Sequence, residues 1–128
     1  MKKNAFTLVE LLAILVILAI LIIILVPTLK NSIKEAKKSA FDEQVSVVTK
    51  AAETYFVNSN FRVDSTNPKV MYITDIKDSG YIETQDIVNP ITNNAMTGCV
   101  LIKYYSNQYH YKYIEDNTEC SKYTNIKE

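Results

Sequence analysis

A single carboxylate, Glu10, interrupts the apolar segment FTLVELLAILVILAILIIILVP near the start of this 128-residue chain. At mid-membrane a charged side chain costs about 2.5–3.5 kcal/mol by insertion scales and less toward an edge, so a carboxylate there calls for a partner or a task. The plain alternative is a glutamate resting in the headgroup zone, and charge cost alone leaves both readings open. The other chemistry-bearing residues lie downstream: Cys99 and Cys120, the single histidine His110, the pair Asp75 and Asp78, and six of the nine tyrosines between positions 104 and 123. These residues form no catalytic or metal-binding pattern. Cys-x-x-Cys, His-x-x-x-His, a glycine-rich phosphate loop and a nucleophile elbow are all missing from a chain with two glycines. His110 reads as a structural or surface residue of a strand, and Asp75 and Asp78 as a solvated helix face. No enzymatic activity, cofactor or metal is expected.

The element that must position Glu10 is a helix. Residues 11–26 are sixteen positions without a polar side chain, and in residues 6–26 only Thr7 and Glu10 are polar. About 20 residues at roughly 1.5 Å each cross a hydrocarbon core of about 30 Å, and the run is too long for a strand. A cleaved secretory signal would show a shorter apolar core and a small-x-small site. This run ends VPTLKNS and is expected to be retained. Lys2 and Lys3 on its short side place that end in the cytoplasm and the rest outside.

Beyond the run, Pro27 would ordinarily stop or bend a helix. Helical rhythm nevertheless continues through Leu29, Ile33, Ala36, Ala40, Val47, Ala51 and Tyr55, with a gap at Gln44 and charges on the other faces. One long helix from Thr7 to about Val57, kinked at Pro27 and roughly 75 Å long, is expected. Only its second half has a face on which to seat a small domain.

About 70 residues remain for that domain, a size at which a covalent staple often matters. NSNFRVDSTNPK reads as the connection into it. In ITDIKDSGYI, Thr74 is the expected cap of a short helix and Gly80 its left-handed end. CVLIKYY and YHYKYIE flank Ser106, Asn107 and Gln108 as an antiparallel hairpin. Tyr109, Tyr111 and Tyr113 share one face of the second arm, while the first arm is apolar on both faces and needs a cover, for which the amphipathic helix is available. Cys99 and Cys120, both beyond the membrane run, read as one disulfide in an oxidising compartment, the alternative being two free buried thiols.

Lys plus Arg and Asp plus Glu are both 14, so no global field favours nucleic acid. The lysines at 30, 34, 37 and 38 suit anionic headgroups or acidic neighbours. The tyrosine cluster could stack bases, but its lysines are offset by nearby acids.

With these residues in hand, the opening KKNAFTLVELL resembles the processing and methylation signal of class III prepilins, precursors of type IV pilins and of the pseudopilins of type II secretion and competence systems. A basic leader, a small residue, a phenylalanine and a glutamate stand at fixed spacing ahead of an unbroken apolar helix. The resemblance implies that a membrane prepilin peptidase/methyltransferase cuts between Ala5 and Phe6 and methylates the new Phe6 amine, although the family usually has Gly where Ala5 stands. It implies that Glu10 pairs with the N-terminal amine of a neighbouring subunit during assembly, and that Pro27 is the helix-bending proline. The implied fold is α+β, pilin-like, with a leader at 1–5, a transmembrane and assembly half at 6–26, an amphipathic half at 27–57 and a small head at 58–128 with a disulfide loop. Implied partners are other copies in a filament, the peptidase, a membrane assembly platform and the bilayer before assembly. DNA is a partner only in a competence role. The implied location is the cytoplasmic membrane, with the head outside, and then a pilus or pseudopilus.

Overall fold

The structure is a computed structural model that describes residues 5, 7–82 and 87–124. The fold is α+β: a long helix α1 (Leu8–Asn58), strand β1 (Lys69–Tyr72), helix α2 (Ile73–Asp78), the hairpin β2 (Cys99–Tyr105) and β3 (Gln108–Ile114), and helix α3 (Asn117–Thr124). Pro27 lies inside α1 and does not end it. The chain divides into two compact units, Met1–Lys37 and Lys38–Glu128. The first is the apolar part of α1 and the turns that follow Pro27; the second holds the sheet and its core.

In the second unit the sheet is antiparallel with order β1-β2-β3. The hairpin turns on Ser106 and Asn107, whose φ values of 53° and 60° are those of a two-residue type I′ turn, so Tyr105 faces Gln108. Gln108 therefore belongs to the strand and not to the turn. β1 was not expected; four residues with one β-branched side chain gave little period to read, and its place is set by pairing Met71 with Val100.

Because β2 is central and alternates its side chains, it feeds two cores. On one face Val100, Ile102 and Met71 pack with Val48, Ala52 and Phe56 of α1. Phe56 meets Tyr109 and Tyr111 edge-on at 5.1 and 6.4 Å, and Phe41 meets Tyr113 at 6.3 Å. The seating face of α1 is thus Phe41, Val45, Val48, Ala52 and Phe56, with Ala51 and Tyr55 at its shoulder. This corrects the expected stripe: Leu29, Ile33 and Val47 are about half exposed. Position 44 is a gap because the seating face runs one position later, through Phe41, Val45 and Val48, where the bulkier side chains stand.

On the other face Cys99, Leu101 and Ile114 pack with Cys120, beside Val70, Tyr72 and Tyr123. The cover is α3, a helix absent from the sequence expectation. Asp116 caps it, Oδ1 accepting from the Thr118 N–H at 2.8 Å, and these bonds hold the carboxyl below the usual aspartate range. Cys99 and Cys120 are bonded to each other, with both residues fully buried, which ties β2 to α3.

α2 starts from Tyr72 with no side-chain cap, so Thr74 does not fill that role. Its end is a Schellman motif: Gly80 at φ 76°, with the Gly80 N–H on the Lys77 carbonyl and the Tyr81 N–H on that of Ile76. Gly98, at φ 108°, has no room for a side chain, since a Cβ would collide with the Ile114 carbonyl oxygen. The buried Asn89 accepts from the Ile91 N–H at 2.8 Å and donates to Glu115 at 3.1 Å, which fixes the turn through residues 89–94.

Tyr113 offers a test of this packing. Its hydroxyl donates to the Thr97 carbonyl at 2.6 Å, and burial, with Glu115 adding a smaller effect, pushes the phenol from 10 up to about 12. The folded state therefore holds this proton more tightly than the unfolded chain. The stabilisation is complete below pH 10 and is lost as pH rises through about 12. Tyr113→Phe should cost about 0.5–1.5 kcal/mol at neutral pH and flatten the alkaline loss of stability, read by denaturant unfolding across the pH series. Parent and variant falling in parallel over that range would contradict the assignment. Burial and the Glu53 charge also raise Tyr111, so the comparison rests on the difference between the two proteins.

Candidate functional site

The helix that carries Glu10 begins with a reciprocal pair of bonds. The Thr7 N–H donates to Glu10 Oε2 at 3.1 Å, and the Glu10 N–H donates to Thr7 Oγ1 at 3.4 Å. This is a capping box, Thr at the N-cap and Glu three residues on, and it satisfies two of the donors that a helix start leaves open. The first i to i−4 bond, from the Leu11 N–H to the Thr7 carbonyl, follows at 3.2 Å. A carboxylate in the first turn also complements the positive end of the helix. Sequence reasoning singled out Glu10 and passed over Thr7 as its partner, although Thr-x-x-Glu directly ahead of an apolar run is the capping-box signal.

Ala5 is exposed and non-helical. Phe6, the expected new N-terminus, and the leader residues 1–4 lie outside the described residues. The helix thus starts three residues after Ala5.

From Leu8 to Val26 every large apolar side chain is exposed, from Val26 at 42% to Leu8 at 84%, and no part of the span-length apolar window is buried. Such a surface is stable only against lipid or against other apolar surfaces. Thr7 and Glu10 are the polar positions at its leading end, and the side chain of each accepts from the backbone N–H of the other. After Pro27, Lys30, Lys34 and Lys37 are exposed at i, i+4 and i+7 on one helix face.

The remaining candidates sit in the second unit. His110 stacks on Tyr105 at 3.7 Å with the planes 9° apart. Asp75 and Asp78 line a shallow cavity of about 240 Å³ with Tyr55 and Lys69. Among the described residues no cluster of three or more His, Cys, Asp or Glu side chains could hold a metal ion. The tyrosines at 109, 111 and 113 pack against Phe56 and Phe41 of α1, and Tyr104 packs on the same core beside Tyr109, which leaves Tyr105 and Tyr123 on the opposite face of the sheet.

Residues 1–26 match the family model described as the prokaryotic N-terminal methylation motif. No curated protein and no solved structure matches the chain.

Proposed function

We propose that this chain, which carries a class III prepilin signal and a helix able to anchor it in a membrane, is a structural subunit of a type IV-like filament. The observation that carries the reading is the first unit: an apolar helix surface exposed from Leu8 to Val26, within the residues that match the methylation motif, with one carboxylate at its leading end.

In the membrane, lipid covers the apolar side chains and the Thr7 N–H occupies the Glu10 carboxylate. The leader 1–5 carries Lys2 and Lys3 on the cytoplasmic side, and the head lies outside. Prepilin peptidase cuts between Ala5 and Phe6 and methylates the Phe6 amine. The new ammonium is then a donor whose only counter-charge in an apolar bundle of residues 6–26 is the Glu10 carboxylate of a neighbour. Each charge alone in that bundle costs several kcal/mol and the pair recovers most of it, so the axial register that joins them is favoured over others. The apolar faces exchange lipid for one another as subunits leave the bilayer, and Pro27 supplies the bend behind the packed segment. An assembly platform in the membrane would drive this transfer.

Mass spectrometry of the membrane or filament form tests the first step. The expected mass is that of residues 6–128 plus one methyl group. An intact Met1, or a cut after Val26, would overturn the processing step and leave a plain single-pass anchored domain.

A further inference from the structure

We propose that the cavity at the hairpin end of the head binds a neutral pyranose ring of a sugar or glycan. The cavity measures about 280 Å³ and lies wholly within the second unit, between the turn at residues 64–68, the end of β2 and α3. That volume is at the low end for ligand sites and suits one ring more than a peptide or a polymer segment.

Its walls are aromatic and held in place. Tyr105 is stacked on His110, with ring centroids 3.7 Å apart, and stands on the same sheet face as Lys103. Tyr123 from α3 forms a further wall, with the Lys103 ammonium 5.4 Å from its ring centroid. Rings fixed before a ligand arrives lose little entropy on binding. An aromatic face is also the usual platform for the C–H face of a sugar, being apolar and electron-rich.

The polar groups decide between ligand classes. Asp64 and Lys103 line the same cavity and form no ion pair among the described residues, so an acceptor and a donor of opposite charge are both offered to a guest. Asp64 Oδ1 is occupied by the Thr66 N–H and hydroxyl and the Asn67 N–H at 2.7–2.9 Å, which fix the carboxyl in the turn and hold it ionised below the ordinary aspartate range. A fixed carboxylate repels phosphate and disfavours nucleic acid or another polyanion. Adjacent hydroxyls of a sugar donate and accept at once and match both charges. Ser65 adds a hydroxyl at the same rim.

The test uses the full chain in a zwitterionic detergent without a sugar headgroup, and it does not depend on polymerisation. The probes are the methyl glycosides of glucose, galactose and N-acetylglucosamine, a trisaccharide of whichever binds, and a short oligothymidylate as the polyanion. Saturation-transfer NMR should show magnetisation passing from tyrosine rings to the sugar C–H protons of at least one glycoside. A trisaccharide binding several-fold more tightly would identify a glycan end, and equal binding a free sugar. Tyr105→Ala and Asp64→Asn should each weaken binding about tenfold, the second keeping an amide oxygen for the Thr66 and Asn67 donors. No transfer to any glycoside at millimolar concentration, tighter binding of the oligothymidylate, or full binding by both variants would overturn the proposal.

Discussion

Glu10→Ala should leave the protein in the membrane at parental levels and reduce filaments to a trace. Removing the carboxylate lengthens the uninterrupted apolar run, so insertion is unimpaired or improved. Loss of the capping box costs on the order of 1 kcal/mol at the helix start, which a 51-residue helix tolerates. Assembly is different, since every added subunit would carry an ammonium into the bundle without its carboxylate. Leaving one partner of a buried pair alone costs about 3–5 kcal/mol, roughly two to four powers of ten in the equilibrium for subunit addition. Glu10→Gln separates the two roles of this side chain. Glutamine can still accept from the Thr7 N–H, so the helix start is kept while the charge is gone. Membrane fractionation and electron microscopy of sheared filaments read both variants. Parental filament yield from Glu10→Gln would show that capping suffices and that no charge pair forms.

The second large effect is expected at the disulfide. Cys99 and Cys120 are 21 positions apart, and opening a loop of that length relaxes the unfolded chain by about 3 kcal/mol in the chain-entropy account. A domain of this size has roughly 5–14 kcal/mol in total, so the loss is a large share. The double variant Cys99→Ala and Cys120→Ala should melt on the order of 15 °C lower, followed by the near-ultraviolet signal of the tyrosines so that the membrane helix does not mask the head. In the unfolded parent, no thiol should react with an alkylating reagent before reduction and two should react after it, because both sulfurs are held in the bond. An unchanged melting temperature in the double variant would show that α3 is held by packing alone.

How far the sequence carries this reading varies with the length of each element. The long helix and the hairpin are legible because their periods persist: nineteen positions of apolar helix from Leu8, and two seven-residue arms either side of a two-residue turn. β1 and α3 are not, because four and eight residues are too few for a period to declare itself and neither has a glycine stop like the one that marks the six-residue α2. Their positions follow from tertiary partners, Met71 opposite Val100 and Cys120 against Cys99. Asp-Asn-Thr-Glu at residues 116–119 did hold a helix-start signal, although its acids read only as offsetting the nearby lysines. At the N-terminus the glutamate stood out through its cost, whereas Thr7 is ordinary in composition and matters only through its spacing. The cavity at the hairpin end was beyond reach, since Asp64, Lys103 and Tyr123 meet only through the fold.

The two-sided sheet has a mechanical consequence. A pull transmitted along α1 enters the head through Phe41, Val48 and Phe56, side chains held by van der Waals contact alone, while the sulfur bridge lies on the opposite face and joins β2 to α3. Under tension the helix would therefore part from the sheet before the bridge carried load. Once it did, the bridge would withhold 21 residues from extension, roughly 70 Å of contour. The head would yield in a short first step and then stop, with its hairpin still folded as a knot in the line.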